Sequence, residues 1–295
     1  MKKRFREVNF RPASSVLIAK IETILNDYQS QGFCLTLRQL FYQLVSDAIL
    51  PNTPKSYRAL SSLVTDARMA GLLDWDAIED RVRQPDTPSE FQDLAHLVRA
   101  AVHAYRLPRW RGQENYVELW VEKDALAGVL RPIARKYHIT LMVNRGYSSA
   151  SAMYESARRI VEGMEDRQRG VVIYLGDHDP SGEDMVRDVE SRLETFGVDF
   201  FEVRKLALTM DQIDKYKPPP NPAKVQDPRA DAYIKKFGNS SWELDALRPT
   251  TLTKIIEKEI LTLVDMDLMQ EVIDEEDEDK KALVAATEKI MKRKK

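Results

Sequence analysis

Apolar and polar residues recur with helical spacing through the first hundred positions. Thr36, with Gln39 three residues later, forms a capping box ahead of an apolar stripe, and Asn52-Thr53-Pro54 separates this segment from the next helix. The predicted elements are a helix from Ser14 or Ser15 to Tyr28, helices over 37–48 and 55–70, a short strand over 78–83 and a helix over 90–105. This order predicts a winged helix-turn-helix whose third helix faces a DNA groove.

After residue 111 the pattern changes, because short apolar runs now alternate with helical stretches. The apolar runs are Tyr116–Val121, Ile139–Val143, Val171–Leu175 and Phe200–Leu206. Helical stretches follow the first three runs, which predicts an α/β domain with a parallel sheet. The proline-rich segment 218–242 is predicted to be an irregular insertion, and helices are predicted from Thr251 onward.

The sequence therefore predicts a mixed α/β chain in four parts. These are a basic arm over 1–12, a winged-helix DNA-binding domain over 13–111, a parallel-sheet domain over 112–250 and a helical C-terminal extension over 251–295. Functional groups in such a sheet are expected at the carboxyl ends of its strands.

Composition narrows the class of protein further. The single cysteine, Cys34, excludes an intrachain disulfide framework and a multi-cysteine zinc site. No apolar run approaches the roughly 20 residues that span a bilayer, and the N-terminus lacks a signal-peptide core, so we expect a cytoplasmic protein without a membrane partner. Basic residues are in excess over 1–111, which permits a nucleic-acid partner, whereas 271–279 is predicted to be a solvated acidic run.

Three carboxylates are predicted to meet at one edge of the sheet. Glu122 ends the first apolar run, and Asp177 and Asp179 follow the third. Clustered carboxylates repel one another unless a cation lies between them, and hard oxygen ligands favour Mg²⁺. Gly182 would let the backbone pass close to such a site. The alternative is that Asp177 caps the following helix and Glu122 is an ordinary surface acid.

Several motifs in this region resemble a Toprim domain, and more narrowly the A subunit of topoisomerase VI and the related meiotic double-strand-break transesterase. They are Val121-Glu122-Lys123-Asp124-Ala125, Asn144-Arg145-Gly146-Tyr147, Gly176-Asp177-His178-Asp179-Pro180-Ser181-Gly182 and, late in the domain, Glu243-Leu244-Asp245-Ala246-Leu247. The resemblance implies a Rossmann-like Toprim fold in which Glu122, Asp177 and Asp179 hold Mg²⁺. It covers most of residues 30–250.

Arg38 and Tyr42 lie four residues apart on one helix face, beside the apolar stripe that contains Phe41. In isolation this spacing is typical of a partly covered structural tyrosine. However, Arg38-Gln39-Leu40-Phe41-Tyr42 resembles the motif of the same family in which the last tyrosine attacks DNA and the arginine assists. Gln39 stands where that family usually has an aspartate.

The resemblance implies a chemistry and a set of partners. Tyr42 would attack double-stranded DNA to leave a 5′-phosphotyrosyl bond, in a homodimer whose tyrosine and metal come from different subunits. The chain has no P-loop, so ATP-driven strand passage would need a separate B-type ATPase subunit. A bacterial, archaeal or phage protein of this kind would be nucleoid-associated.

Further DNA contacts are predicted from basic and polar side chains. Lys55, Arg58 and Ser62 form the polar side of the third predicted helix, which would face the groove. Lys123 and Arg145 are candidate phosphate contacts, with surface salt bridges as the alternative. Two other functions stay open: a Toprim nuclease in which water attacks and Tyr42 is structural, and a non-catalytic DNA-binding protein.

Overall fold

The computed structural model describes residues 2–78, 88–144, 148–165, 168–223 and 226–288, and it has the mixed α/β architecture that the sequence predicts. The helices are α1 (Pro12–Ser30), α2 (Leu37–Ser46), α3 (Pro54–Met69), α4 (Leu94–Ala104), α5 (Ala127–Lys136), α6 (Ala150–Gly163), α7 (Pro180–Thr195), α8 (Met210–Tyr216), α9 (Ala230–Phe237), α10 (Pro249–Ile260) and α11 (Met266–Ala286). The strands are β1 (Asn115–Val121), β2 (Thr140–Val143), β3 (Arg169–Leu175), β4 (Phe201–Ala207), β5 (Asn221–Pro222) and β6 (Ser240–Ser241).

The predicted helix starts of α2 and α3 are confirmed by their capping contacts. The side chain of Thr36 accepts a hydrogen bond from the backbone of Gln39, and Gln39 Oε1 accepts one from the Thr36 backbone at 2.8 Å. Thr53 caps α3 by accepting from the backbone N–H of Ser56 at 3.1 Å, with Pro54 in the first turn. Such caps satisfy backbone donors that would otherwise lack partners.

Helices α1, α2 and α3 enclose one apolar core, to which each contributes fully buried leucine, isoleucine or valine side chains. Ile78 forms a single parallel bridge with Leu35. The rest of the predicted strand, residues 79–83, lies outside the described residues. The three-helix arrangement is therefore seen, and the wing of a winged helix stays a prediction.

The four-stranded sheet is parallel throughout, in the order β2-β1-β3-β4. Val121 at the end of β1 is in register with Val143 of β2 and Leu175 of β3. The three strands consequently end at the same edge, which we call the carboxyl edge. This is the sheet arrangement that alternating strands and helices predict.

Apolar layers cover both faces of the sheet, as parallel sheets require. Alternate side chains of β1 and β3 pack on one face against α5, α10 and α11, and the others pack against α6 and α7. Trp120 and Tyr174 belong to the second layer and are completely buried. A rigid, doubly covered sheet fixes the position of the residues that follow its strands.

The N-terminal helices dock onto the sheet domain of the same chain. Ala246, in a short 3₁₀ helix over Leu244–Ala246, is buried in the core formed by α1, α2 and α3. Arg248 lies 3.4 Å from Asp47 at the margin of this contact. Helix α2 is thereby held beside the segment that follows β6.

Two segments are more ordered than their composition predicts. The segment 218–242 contains α9 and the antiparallel pair β5–β6, because Tyr233 is buried and its hydroxyl donates to the carbonyl of His178 at 2.9 Å. Within the acidic run, Glu276 is fully buried and accepts hydrogen bonds from Arg109 and the Leu107 backbone, both at 3.0 Å. That run is therefore only partly solvated.

In the described part of the chain, no helix combines the length and apolar character needed to cross a membrane.

Candidate active site at the carboxyl edge of the sheet

The carboxyl edge brings together the acids that the sequence singles out. Glu122 follows β1, and its backbone N–H donates to the carbonyl of Leu175 at 2.9 Å. Its Oε2 accepts from the backbone N–H of Asp177 at 3.3 Å. Asp179 follows two residues later and caps α7, accepting from the N–H of Gly182 at 2.7 Å. The helix cap is thus Asp179 and not Asp177.

Two glycines allow the chain to pass this close to the acids. A Cβ on Gly182 would lie 2.2 Å from the carbonyl oxygen of Asp177, a distance at which backbone atoms overlap. A Cβ on Gly176 would lie 2.7 Å from the ring of Tyr174 and 3.1 Å from Oε2 of Glu122. The loop geometry therefore requires glycine at both positions.

Lys123 lies inside this cluster rather than on the surface. Its ammonium nitrogen is 2.7 Å from Oδ2 of Asp177 and 3.4 Å from Oδ1 of Asp245, and it also forms an ion pair with Glu243. Burial alone would lower the pKa of Lys123, but Asp245, Asp177 and Glu243 outweigh that effect and raise it. Lys123 consequently stays charged and neutralises part of the acidic edge.

Arg38 reaches the same acids from helix α2. Its guanidinium lies 2.9 Å from Oε2 of Glu243 and 3.1 Å from Oδ2 of Asp245. Oε2 of Glu243 is the atom that Lys123 also contacts, so one carboxylate oxygen is shared by two cations. These cations hold the pKa of Glu243 below its usual range although burial acts in the opposite direction.

Tyr42 lies one turn after Arg38 and is more covered than its helical position predicts. Its side chain is 8 % exposed, and the Arg38 guanidinium lies 5.5 Å from its ring centre. Burial raises the pKa of Tyr42 to about 12, and the charges of Glu243 and Asp245 add to this effect. The hydroxyl is therefore almost wholly protonated at neutral pH. Tyr42 belongs to the same core cluster as Ala246 of the 3₁₀ helix, which docks on α2.

The remaining predicted site residues lie in three different settings. Lys55, Arg58 and Ser62 are exposed along one side of α3, as predicted. Arg145 lies outside the described residues. His178, between the two aspartates, is buried, with its Nδ1 2.8 Å from the Tyr233 hydroxyl. It helps to fix α9 against the loop that contains the acids.

The sequence did not single out Glu243 and Asp245 as site residues, although both occur in a motif of the resemblance. Asp245 is 1 % exposed and contacts both Arg38 and Lys123. One feature of the sequence could have identified them: they are two acids, two residues apart, in the otherwise apolar stretch Trp242–Leu247. Their function depends on tertiary docking, which local spacing does not reveal.

Within the described ranges, no three carboxylate or imidazole groups are close enough to form a metal site. Asp177 is ion-paired with Lys123, and Asp179 caps α7. The donor set nevertheless fits a hard divalent cation. Burial raises the pKa of Asp177 to about 7, and burial with the charge of Asp179 raises that of Glu122. Carboxylate oxygens are the ligands that such a cation prefers.

A buried hydroxyl next to these acids is also without a partner. The hydroxyl oxygen of Tyr174 has no hydrogen bond. It lies close to Glu122, because this oxygen and Oε2 of Glu122 would each be about 3 Å from a Cβ placed on Gly176. Unsatisfied polar atoms of this kind are rare in folded proteins and call for an explanation such as a bound ion or water. Glu122, Asp177 and Asp179 stay the residues that the sequence predicts would hold Mg²⁺.

Comparison of the chain with models of known protein families and with curated proteins gave no match.

Proposed function

We propose that this protein cleaves DNA by a magnesium-dependent transesterification in which Tyr42 is the nucleophile. The observation that carries the proposal is the docking of helix α2, which contains Arg38 and Tyr42, on the carboxyl edge of the sheet through Glu243 and Asp245. Tyr42, the two cations and the carboxylates, which come from distant parts of the chain, thus lie in one cluster. The resemblance to the topoisomerase VI A subunit, stated from the sequence, supports the same activity.

The chemistry follows from the groups present. The Tyr42 oxygen attacks the phosphorus of a phosphodiester and loses its proton, the bond to the 3′ oxygen breaks, and that oxygen takes up a proton. The product is a 5′-phosphotyrosyl bond and a free 3′ hydroxyl, so the energy of the phosphodiester is retained for religation. Arg38 and Lys123 would stabilise the charge that develops on the tyrosine and phosphate oxygens. Magnesium on Glu122, Asp177 and Asp179 supplies Lewis-acid stabilisation of the phosphate and leaving group.

The ion pairs of Glu243 indicate which side chains a DNA phosphate would bind. Glu243 places one carboxylate oxygen where Arg38 and Lys123 converge. A phosphate oxygen carries the same charge and accepts the same hydrogen bonds, and arginine binds it in the same geometry. A DNA phosphate would therefore compete with Glu243 for these two cations.

One observation favours a second candidate, hydrolysis by a Toprim nuclease. Tyr42 is nearly buried and has a raised pKa, which are properties of a structural tyrosine. In that case water would attack the phosphodiester, and the carboxyl edge alone would be the active site.

Denaturing gels of end-labelled duplex DNA incubated with Mg²⁺ distinguish these functions. Transesterification yields 5′ ends that migrate with the protein until it is digested by protease. Hydrolysis yields free 5′ ends, and a binding protein leaves the strands intact. The proposal predicts the first result. It is rejected if every strand break appears from the start with a free 5′ end.

A further inference from the structure

A cavity of about 280 Å³ lies beside Tyr42, between α2 and the first turn of α3. The described residues that line it are Arg38, Phe41, Tyr42, Asn52, Thr53, Pro54 and Tyr57. This cavity plays no part in the chemistry described above. Because the proposed nucleophile Tyr42 is one of the lining residues, we expect a substrate bound at Tyr42 to lie next to this cavity.

The walls of the cavity are flat aromatic and guanidinium groups. The Phe41 ring meets Tyr42 edge to face at 5.6 Å between centres and Tyr57 at 5.3 Å. Phe41 is buried, whereas Tyr57 is only partly covered. Aromatic and guanidinium faces of this kind stack on nucleobases irrespective of sequence.

The lining also supplies a group that can distinguish one base edge from another. The Asn52 amide donates to Oδ1 of Asn221 at 2.6 Å and has further donor and acceptor capacity. Among the described residues that line the cavity there is no carboxylate, so the lining does not select a cationic ligand. A volume near the lower limit of ligand pockets, about 300 Å³, suits one planar base better than a peptide.

We propose that this cavity binds the nucleobase adjacent to the phosphodiester that Tyr42 attacks, turned out of the base stack. The inference rests on the proposed function, since it assumes that Tyr42 faces a DNA phosphate. A phosphate within reach of the Tyr42 oxygen has a nucleoside on each side, and one of them meets the cavity that Tyr42 itself lines. The base would stack on Tyr57, and Asn52 would contact its edge.

The experiment uses duplexes in which one nucleotide at a time is replaced by an abasic residue. Binding is measured by fluorescence anisotropy with Tyr42→Phe protein, so that no cleavage interferes and the attacked position need not be known. We expect one abasic position to weaken binding by up to about tenfold, because the lost base–aromatic stack is offset in part by the unstacking cost that an abasic residue avoids. In the Tyr42→Phe, Tyr57→Ala protein, intact DNA should already bind that much more weakly, and the abasic residue should cause no further loss.

Controls separate this inference from the proposed function and from misfolding. Tyr57→Phe keeps the ring and should retain the abasic effect, and Asn52→Ala should bind intact DNA but lose discrimination among the four bases at that position. If Tyr57→Ala fails to fold by circular dichroism, Tyr57→Leu replaces it. Equal abasic effects with and without the Tyr57 ring, or no sensitive position, would overturn the inference. Failure of wild-type protein to form 5′ adducts would instead reject the transesterase. An abasic effect that depends on the Tyr57 ring would still support base binding in the cavity, and its absence would overturn that inference.

Discussion

Arg38 on helix α2 is ion-paired at 2.9 Å with Glu243, a residue that follows it by 205 positions. The pair joins the N-terminal helices to the carboxyl edge, where Glu243 also contacts Lys123. Partly buried ion pairs contribute little net stability unless their geometry is favourable, but removing one partner leaves a charge without compensation. A change at Glu243 should therefore alter the electrostatics of Arg38, Lys123 and Tyr42 together.

The first prediction concerns the ionisation of Tyr42. Its pKa of about 12 is raised by burial and by Glu243, so the reactive tyrosinate becomes more abundant as pH rises toward 12. Adduct formation by the wild-type protein should increase with pH from 7 to 10 without reaching a plateau. Glu243→Gln removes one negative charge, lowers the pKa of Tyr42 and should move this profile to lower pH.

Glu257→Gln is the matched control, because Glu257 pairs with Lys136 on the surface. It should leave the pH profile unchanged. A Glu243→Gln profile that coincides with that of the wild type would contradict the assignment of Tyr42 as the titrating nucleophile. The same raised pKa also affects folding. The contribution of protonated Tyr42 to the free energy of unfolding is fully present below pH 10 and is lost as pH rises from 10 to 12.

The second prediction concerns magnesium. Asp177→Asn should abolish Mg²⁺-dependent cleavage and also remove the rise in melting temperature that Mg²⁺ gives the wild-type protein, expected to be on the order of a few degrees. Without metal the variant should melt somewhat below the wild type, because Lys123 loses its partner at 2.7 Å, but Glu243 and Asp245 still pair with Lys123 and should keep the variant folded. Asparagine keeps the volume and can still accept from the N–H of Leu244, and the carboxylate that it replaces has a pKa near 7.

Asp214→Asn changes an exposed acid elsewhere and should retain both the cleavage and the Mg²⁺ effect. Differential scanning fluorimetry with and without Mg²⁺, together with the cleavage gel, makes the comparison. Retention of the Mg²⁺ stabilisation by folded Asp177→Asn protein would remove Asp177 from the metal site.

Local spacing in the sequence was sufficient to predict the helix cap and the strand ends that position the site residues. The Thr36 and Gln39 capping box was predicted from residue type alone, because both partners lie within one helical turn. The ends of β1 and β3 followed from apolar runs, and these ends place Glu122 and Asp177 together. In each case the decisive contact is local, or is imposed by strands that run parallel.

The parts that escaped prediction depend on docking between distant segments. Periodicity identifies the apolar face of α2, but it does not show that Ala246 inserts into the core beneath that helix. For this reason the burial of Tyr42 and the pairing of Arg38 with Glu243 and Asp245 were missed. Helix α9 was missed because eight residues between prolines and polar residues give too little periodicity.

The third prediction concerns DNA contact by helix α3. Arg58 is exposed beside Lys55 and Ser62, so Arg58→Ala should weaken binding to all sequences alike. Loss of one phosphate contact should reduce the slope of log affinity against log salt concentration by about one. Arg187→Ala, which removes an exposed arginine from α7, is the control and should leave the slope as it is. An unchanged slope in Arg58→Ala would place the DNA on another surface.

The fourth prediction concerns the hydroxyl of Tyr42. Tyr42→Phe removes one oxygen and keeps the ring contacts with Phe41 and Arg38, so stability should change by less than about 1 kcal/mol. The variant should bind DNA and Mg²⁺ but form no covalent adduct. Substantial DNA cleavage by Tyr42→Phe protein would establish the hydrolytic alternative.

The last prediction asks whether one chain or two provide a complete site. Within a single chain, Lys123 is paired with both Glu243 and Asp177, and Glu243 is paired with Arg38, so these ion pairs lie between the arginine and the acidic edge. These contacts hold Arg38 beside the acids of its own chain, whereas the resemblance implies a homodimer in which the tyrosine acts with the acids of a second chain. We base the prediction on the resemblance. Mixing Tyr42→Phe and Asp177→Asn proteins should then create one intact site per mixed dimer, which nicks a single strand. Each variant alone should be inactive, and inactivity of the mixture, after exchange of chains has been verified by mass, would assign both groups to the same chain.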